Sequence, residues 1–180
     1  LDAFYFCIKN KIKNFKIHAS DIGNKFLIKK ISEKAKRIDL SVGSATPQEI
    51  KKSLKWIENK CDVWLMYGYQ LFPTNPNRLN LSYMTSLNKK FKKNIGYQDH
   101  SNFDISGYTI PCAAIGTGVN IVEKHVTDLN SKKRTDGESA IEISDYVKFV
   151  EKCKEAKKSI GTRKFINFNP DERKYRKYSN

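Results

Sequence analysis

The stretch Val122-Glu123-Lys124-His125-Val126-Thr127-Asp128, taken with Gly96-Tyr97-Gln98-Asp99-His100, decides how the chain is read. Each grows out of a short apolar run, Val119-Asn120-Ile121-Val122 in one case and Asn94-Ile95-Gly96 in the other, and each carries an acid and a histidine. In a strand, residues two apart share a face, so Glu123 and His125 are expected to point the same way. If the two strands are neighbours, His100 and His125 meet at one end of a sheet. Two imidazoles with carboxylates nearby can hold a divalent ion. Two structural histidines, each satisfied locally, is the plainer reading, and no short-range ligand motif separates the two.

Working outward, segments 15–20, 38–42, 63–69, 95–97 and 121–125 read as strands. Helices are expected over 24–36, from Thr46 through Ile57, over 82–91, over 104–116 with an interruption at Pro111, and over 144–160. Thr46-Pro47-Gln48-Glu49 is a strong helix start: Thr46 caps, Pro47 suits the first turn and Glu49 completes a capping box. Ile50, Leu54 and Ile57 then form one apolar face. Residues 1–14 mix aromatics with lysine and read as the tail of an element, and 128–139 reads as a polar loop. Five β-α units in succession imply a parallel α/β sheet. The strands do not show strict polar alternation, as expected where both faces are covered. Residues 1–160 are therefore one domain, with 161–180 a basic, aromatic linker or tail.

With 180 residues the chain can bury a sizeable core. Lys and Arg number 34 against 19 Asp and Glu, a formal charge of +15. Such a balance fits nucleic acid, an anionic surface or anionic substrates. The lysines sit on the expected helix faces rather than in one block, which argues against a nucleic-acid surface; a lysine-rich composition is the plainer account. Cys7, Cys61, Cys112 and Cys153 are far apart with no CxxC spacing, against a zinc module or a disulfide framework. A reduced, cytoplasmic protein is expected. No apolar run approaches the roughly 18 residues of a membrane span.

Ser20, Ser41, Gln70, Asp99, His100, Glu123 and His125 all fall at or just past the carboxyl ends of expected strands. In parallel α/β sheets and (β/α)₈ barrels that is the ligand-binding face. Lys16 lies within a strand. Pointing inward it requires an anionic partner, because burying an unpaired ammonium is costly; facing solvent it requires none.

These stretches resemble the sialic acid synthase family, the N-acetylneuraminate synthases and relatives that make other nine-carbon acidic sugars. The resemblance rests on Phe15-Lys16-Ile17-His18-Ala19-Ser20-Asp21, Leu40-Ser41-Val42-Gly43-Ser44-Ala45-Thr46, Phe72-Pro73-Thr74, Gly96-Tyr97-Gln98-Asp99-His100-Ser101, and Glu123-Lys124-His125-Val126-Thr127-Asp128 with Asp136 eight residues on. It implies a (β/α)₈ TIM barrel that condenses phosphoenolpyruvate with an N-acylated amino sugar, N-acetylmannosamine-like, to give a nonulosonic acid and phosphate. It also implies a divalent metal, usually manganese, with magnesium or cobalt as alternatives, held by His100 and His125. Lys16, Ser20 and Ser41 would hold phosphoenolpyruvate, with Gln98 beside them. Gln70, Phe72, Glu123 and Asp136 would face the sugar, and Lys16, Glu123 and His125 would be the catalytic set. A homodimer is implied for the full-length protein.

The sequence departs from that family at several positions. Ala19 stands where the family has a serine three residues after the lysine, and Ser20 follows it. Tyr67-Gly68-Tyr69-Gln70-Leu71-Phe72-Pro73 replaces a common His-Cys-Thr-x-x-Tyr-Pro, so Phe72 lacks a tyrosine hydroxyl. Gln98 replaces a common serine. The five expected strands match the family's fourth to eighth. An incomplete barrel, part of a longer protein, is the expectation. The alternatives are an inactive paralogue and a basic anion- or nucleic-acid-binding module.

Overall fold

The structure, a computed structural model, describes residues 1–128, 136–161 and 170–177. Its strands are β1 (Asn14–Ile17), β2 (Arg37–Ser41), β3 (Asp62–Tyr67), β4 (Asn94–Asp99), β5 (Ile121–Thr127) and β6 (Ala140–Glu142). Its helices are α1 (Asp2–Lys9), α2 (Lys25–Ser32), α3 (Pro47–Ile57), α4 (Ser82–Phe91), α5 (Phe103–Ser106), α6 (Thr109–Gly116), α7 (Ile143–Ile160) and α8 (Pro170–Arg176). The strands pair in the order β1-β2-β3-β4-β5-β6, all parallel.

Local chemistry explains where the helices begin. Thr46 Oγ1 accepts from the Glu49 amide at 3.2 Å, and Glu49 Oε2 accepts from the Thr46 amide at 2.7 Å, so the capping box is closed in both directions. Asn24 caps α2 by accepting from the Leu27 amide at 3.1 Å.

Five expectations are corrected. The sheet has six strands rather than five: β6 is a three-residue element beside the carboxyl half of β5. Residues 129–135 of the expected loop lie outside the described residues. The amino-terminal segment is a helix, α1. The expected helix over 104–116 is two helices, and the break falls at Gly107 (φ +51°), not at Pro111, which lies in the first turn of α6. A proline in a first turn lacks only an amide that has no partner there. Within the expected linker, Pro170–Arg176 is helical, while 162–169 lies outside the described residues.

The fifth correction concerns the strand pattern, which does alternate. Register partners in a parallel sheet share a face. One face carries Phe15, Ile17, Ile38, Leu40, Val63, Leu65, Tyr67, Ile95, Tyr97 and Val122, which pack with Ile28, Ile50, Ile57, Met84, Leu87 and Ile115 in a single core. The opposite face carries Lys16, Asp39, Ser41, Trp64, Met66, Gln98, Glu123 and His125. Helices α2, α3, α4 and α6 pack on the first face. Trp64 and Met66 on the second are what blur the alternation.

The sheet curls toward its polar face. β1 and β5 are four strand positions apart, roughly 19 Å in a flat sheet. Yet Lys16 on β1 meets Glu123 on β5, and Ser41 on β2 meets Gln98 on β4. The six strands form a curled half-barrel with these side chains on its concave face. No helix among the described residues is long and apolar enough to cross a membrane.

Candidate active site

The concave face at the carboxyl ends of the strands gathers two groups of side chains. In the first, Lys16 Nζ donates to Glu123 Oε1 at 2.5 Å. Gln98 Nε2 donates to the same oxygen at 3.2 Å, and the Ser41 hydroxyl donates to Gln98 Oε1 at 2.6 Å. Gln98 thus spans the concavity, accepting from β2 and donating to β5. Burial by itself would raise the Glu123 carboxyl. Hydrogen bonds from Lys16 and Gln98, with the positive charge of Lys16, instead hold it below the usual glutamate range, so it is an anion at neutral pH. The anionic partner that Lys16 requires is supplied here by the protein itself.

The second group is His100, His125 and Phe72. The imidazole centroids lie 5.5 Å apart, and the Phe72 ring lies 4.2 Å from His100 and 5.9 Å from His125. His100 Nδ1 is 2.8 Å from the Tyr69 carbonyl, which only accepts, so Nδ1 carries the proton and Nε2 keeps its lone pair. Burial pushes His100 below the ordinary histidine range, and the neutral ring is the form that ligates metal.

Glycines let the strand ends approach closely enough to build this face. A Cβ on Gly43 would lie 2.2 Å from the Gly68 carbonyl oxygen and 2.5 Å from Gln70 Nε2. Gln70 therefore rests over Gly43, donating to the Gly68 carbonyl at 3.2 Å. The loop bearing Phe72 is anchored by the Thr74 amide, which donates to the His100 carbonyl at 2.8 Å.

The structure thus brings Lys16, Ser41, Gln98 and Glu123 into one network and His100, His125 and Phe72 into one cluster. Ser20 stands apart: its hydroxyl lies 2.9 Å from His18 Nδ1 in the turn after β1. Asp136 opens the 3₁₀ turn Gly137–Ser139, whose Ser139 hydroxyl donates to the His100 carbonyl at 2.8 Å. Sequence reasoning missed the Lys124–Asp99 ion pair, 2.9 Å long and buried on the helix side of the sheet. Its signal was available: both charges fall on the otherwise apolar face, so Asp99, which its strand-end position had placed with the ligand-face residues, belongs to the helix side instead.

Among the described residues no group of three or more His, Cys, Asp and Glu is arranged to hold a metal ion. The donor set that is present, two neighbouring imidazoles with one proton fixed away from the cavity, fits an open site in which substrate or water completes the coordination. A groove of about 630 Å³ between β5 and α7 is lined mostly by apolar side chains such as Val122, Val126, Tyr146 and Val150, and also touches Glu123 and Lys124.

A curled parallel sheet with a lysine–carboxylate pair and two imidazoles at its carboxyl edge defines a barrel-type α/β protein. The NeuB family model matches residues 1–165, and the chain belongs to the NeuB family. It is 29% identical over 154 residues to an N,N'-diacetyllegionaminic acid synthase of Campylobacter jejuni, covering 83% of this chain and 45% of that protein. It is 24% identical over 149 residues to a pseudaminic acid synthase of the same species, covering 82% and 42%. Among solved structures, an N-acetylneuraminic acid synthetase from Leptospira borgpetersenii, crystallised with citrate, superposes with a TM-score of 0.82 at 28% identity, covering 93% of this chain and 57% of the other. The chain spans about half the length of the curated relatives it matches.

Proposed function

We propose that this chain carries the site of a nonulosonic acid synthase, condensing phosphoenolpyruvate with an N-acylated amino sugar. The observation that carries the reading is the Lys16–Glu123–Gln98–Ser41 network beside the paired imidazoles, in a chain of this family. Phosphoenolpyruvate is a multiply charged anion. Its phosphate and carboxylate replace Glu123 as the partner of Lys16, with Ser41, Gln98 and Ser20 donating hydrogen bonds. Glu123, released from Lys16, faces the sugar with Gln70, Phe72 and Asp136. Carbon 3 of phosphoenolpyruvate bonds to the aldehyde carbon, and the aldehyde oxygen takes a proton. Water adds at carbon 2, and the carbon–oxygen bond to phosphate then breaks, leaving a 2-keto acid and inorganic phosphate. A divalent ion, manganese first and magnesium or cobalt as alternatives, would be held by His100 and His125 and would supply Lewis-acid polarisation of the aldehyde.

The test is a manganese titration followed by electron paramagnetic resonance on the wild type, His100→Ala and His125→Ala. Phosphate release is assayed in parallel with phosphoenolpyruvate and N-acetylmannosamine or its 2,4-diacetamido analogue. Saturable binding lost in both variants, with sugar-dependent phosphate release, is expected. A chain that circular dichroism shows to be folded, yet that neither binds manganese nor releases phosphate, overturns the reading. That outcome favours a second one, an inactive relative, for which Phe72, standing where the family has a tyrosine hydroxyl, is the motivating observation.

A further inference from the structure

We propose that the buried Lys124–Asp99 pair is the positioning device for His100 and His125, acting from the opposite face of the sheet; this rests on the imidazole site proposed above. Lys124 Nζ lies 2.9 Å from Asp99 Oδ2, and the two side chains are 1% and 0% exposed. They are register partners on β4 and β5, among Tyr97, Val122 and Ile141 on the helix side. Two charges desolvated in such a place do not stabilise the fold more than an apolar pair of equal volume would. The pair therefore calls for an account other than stability.

Its hydrogen bonds supply one. Asp99 Oδ1 accepts from the Ser101 amide at 3.0 Å and from the Tyr97 hydroxyl at 3.2 Å. Lys124 Nζ also donates to the Ser101 carbonyl at 2.8 Å. The residue after His100 is thus held at both its amide and its carbonyl by one ion pair. The His100 carbonyl is held in turn by the Thr74 amide and the Ser139 hydroxyl, each at 2.8 Å. Asp99 directly precedes His100, and Lys124 directly precedes His125. A rung fixed at 99 and 124 on one face sets the spacing of the next pair of side chains on the other. Those are the two imidazoles, 5.5 Å apart. Neither Lys124 nor Asp99 reaches the concave face, so the role is positioning, not catalytic.

The test uses the full chain with isotope-labelled histidine and reads two quantities: the nuclear Overhauser contact and chemical shifts of the two imidazoles, and manganese affinity. Asp99→Asn keeps the shape and the acceptor for Ser101 while removing the charge. Asp99→Asn with Lys124→Met removes both charges and leaves no lone buried ion. Lys124→Arg is the conservative rescue, and Ile57→Val, a core truncation on α3 far from the site, controls for lowered stability. The expected result is a weakened inter-ring contact with about threefold weaker manganese binding in Asp99→Asn. In the double variant the contact is lost and binding is about tenfold weaker, while Lys124→Arg and Ile57→Val keep both. Unchanged imidazole signals in Asp99→Asn and in the double variant overturn the inference; if the double variant does not fold, Asp99→Asn alone decides. Wild type that binds no manganese sinks the metal reading, and the ring signals then judge the positioning role by themselves.

Discussion

At Gly68 the absence of a side chain is what brings the ends of β3 and β4 together. A Cβ there would lie 2.5 Å from the Gln98 carbonyl oxygen and 2.7 Å from Gln98 Cβ. The carbonyl belongs to a central strand and cannot yield as a side-chain tip would. Gly68→Ala is therefore expected to cost roughly 1–3 kcal/mol, the range for overpacking, and to draw Gln98 away from Glu123. Urea unfolding checks the first effect, and a midpoint equal to wild type would falsify the close-approach account. Gln98 itself shows what one residue can and cannot reveal in a sequence. Its place at a strand end marks it as a site residue. That its amide both accepts from Ser41 and donates to Glu123 depends on three strands arriving together. Phe72 is similar: the lost hydroxyl was legible, while the tilted contact of its ring with His100 was not.

The elements were most legible where a few neighbouring residues settle their form. Thr46-Pro47-Gln48-Glu49 is the clearest case, since the capping box needs only residues three apart, and it closes as expected. Thr46→Ala is expected to lower stability by about 1 kcal/mol. A shift in denaturation midpoint with unchanged slope would show it, whereas no shift would mean that α3 is held by its buried face, Ile50, Ser53 and Ile57, alone. Elements set by tertiary context were read less well. β6 has three residues, too few to show a period, and exists through its pairing with β5. The break before α6 lay at Gly107, where a positive φ is cheap for glycine. Pro111 drew the expectation because prolines break helices in their interiors, but in a first turn they fit.

For the whole molecule the open sheet matters most. Among the described residues, β1 and β6 each pair on one side only, which leaves edges able to recruit another chain. Opposing this is a charge of +15, whose repulsion is screened beyond about 10 Å at 0.1 M salt. The isolated chain is therefore expected to self-associate, and more strongly as salt rises from low to physiological. Light scattering at two ionic strengths decides the matter, and a monodisperse monomer at both would show the edges to be protected. The sequence by itself determined the βα alternation, the helix caps and the set of polar residues at the strand ends. Each of these depends on period, propensity or hydrogen bonds among near neighbours. Only the tertiary structure decided that Lys16 meets Glu123 across 107 positions, that Gln98 bridges β2 and β5, and that Lys124 and Asp99 form a buried rung behind the histidines. Those contacts follow from strand order, register and curl, which are properties of the packed sheet and are carried by no single segment.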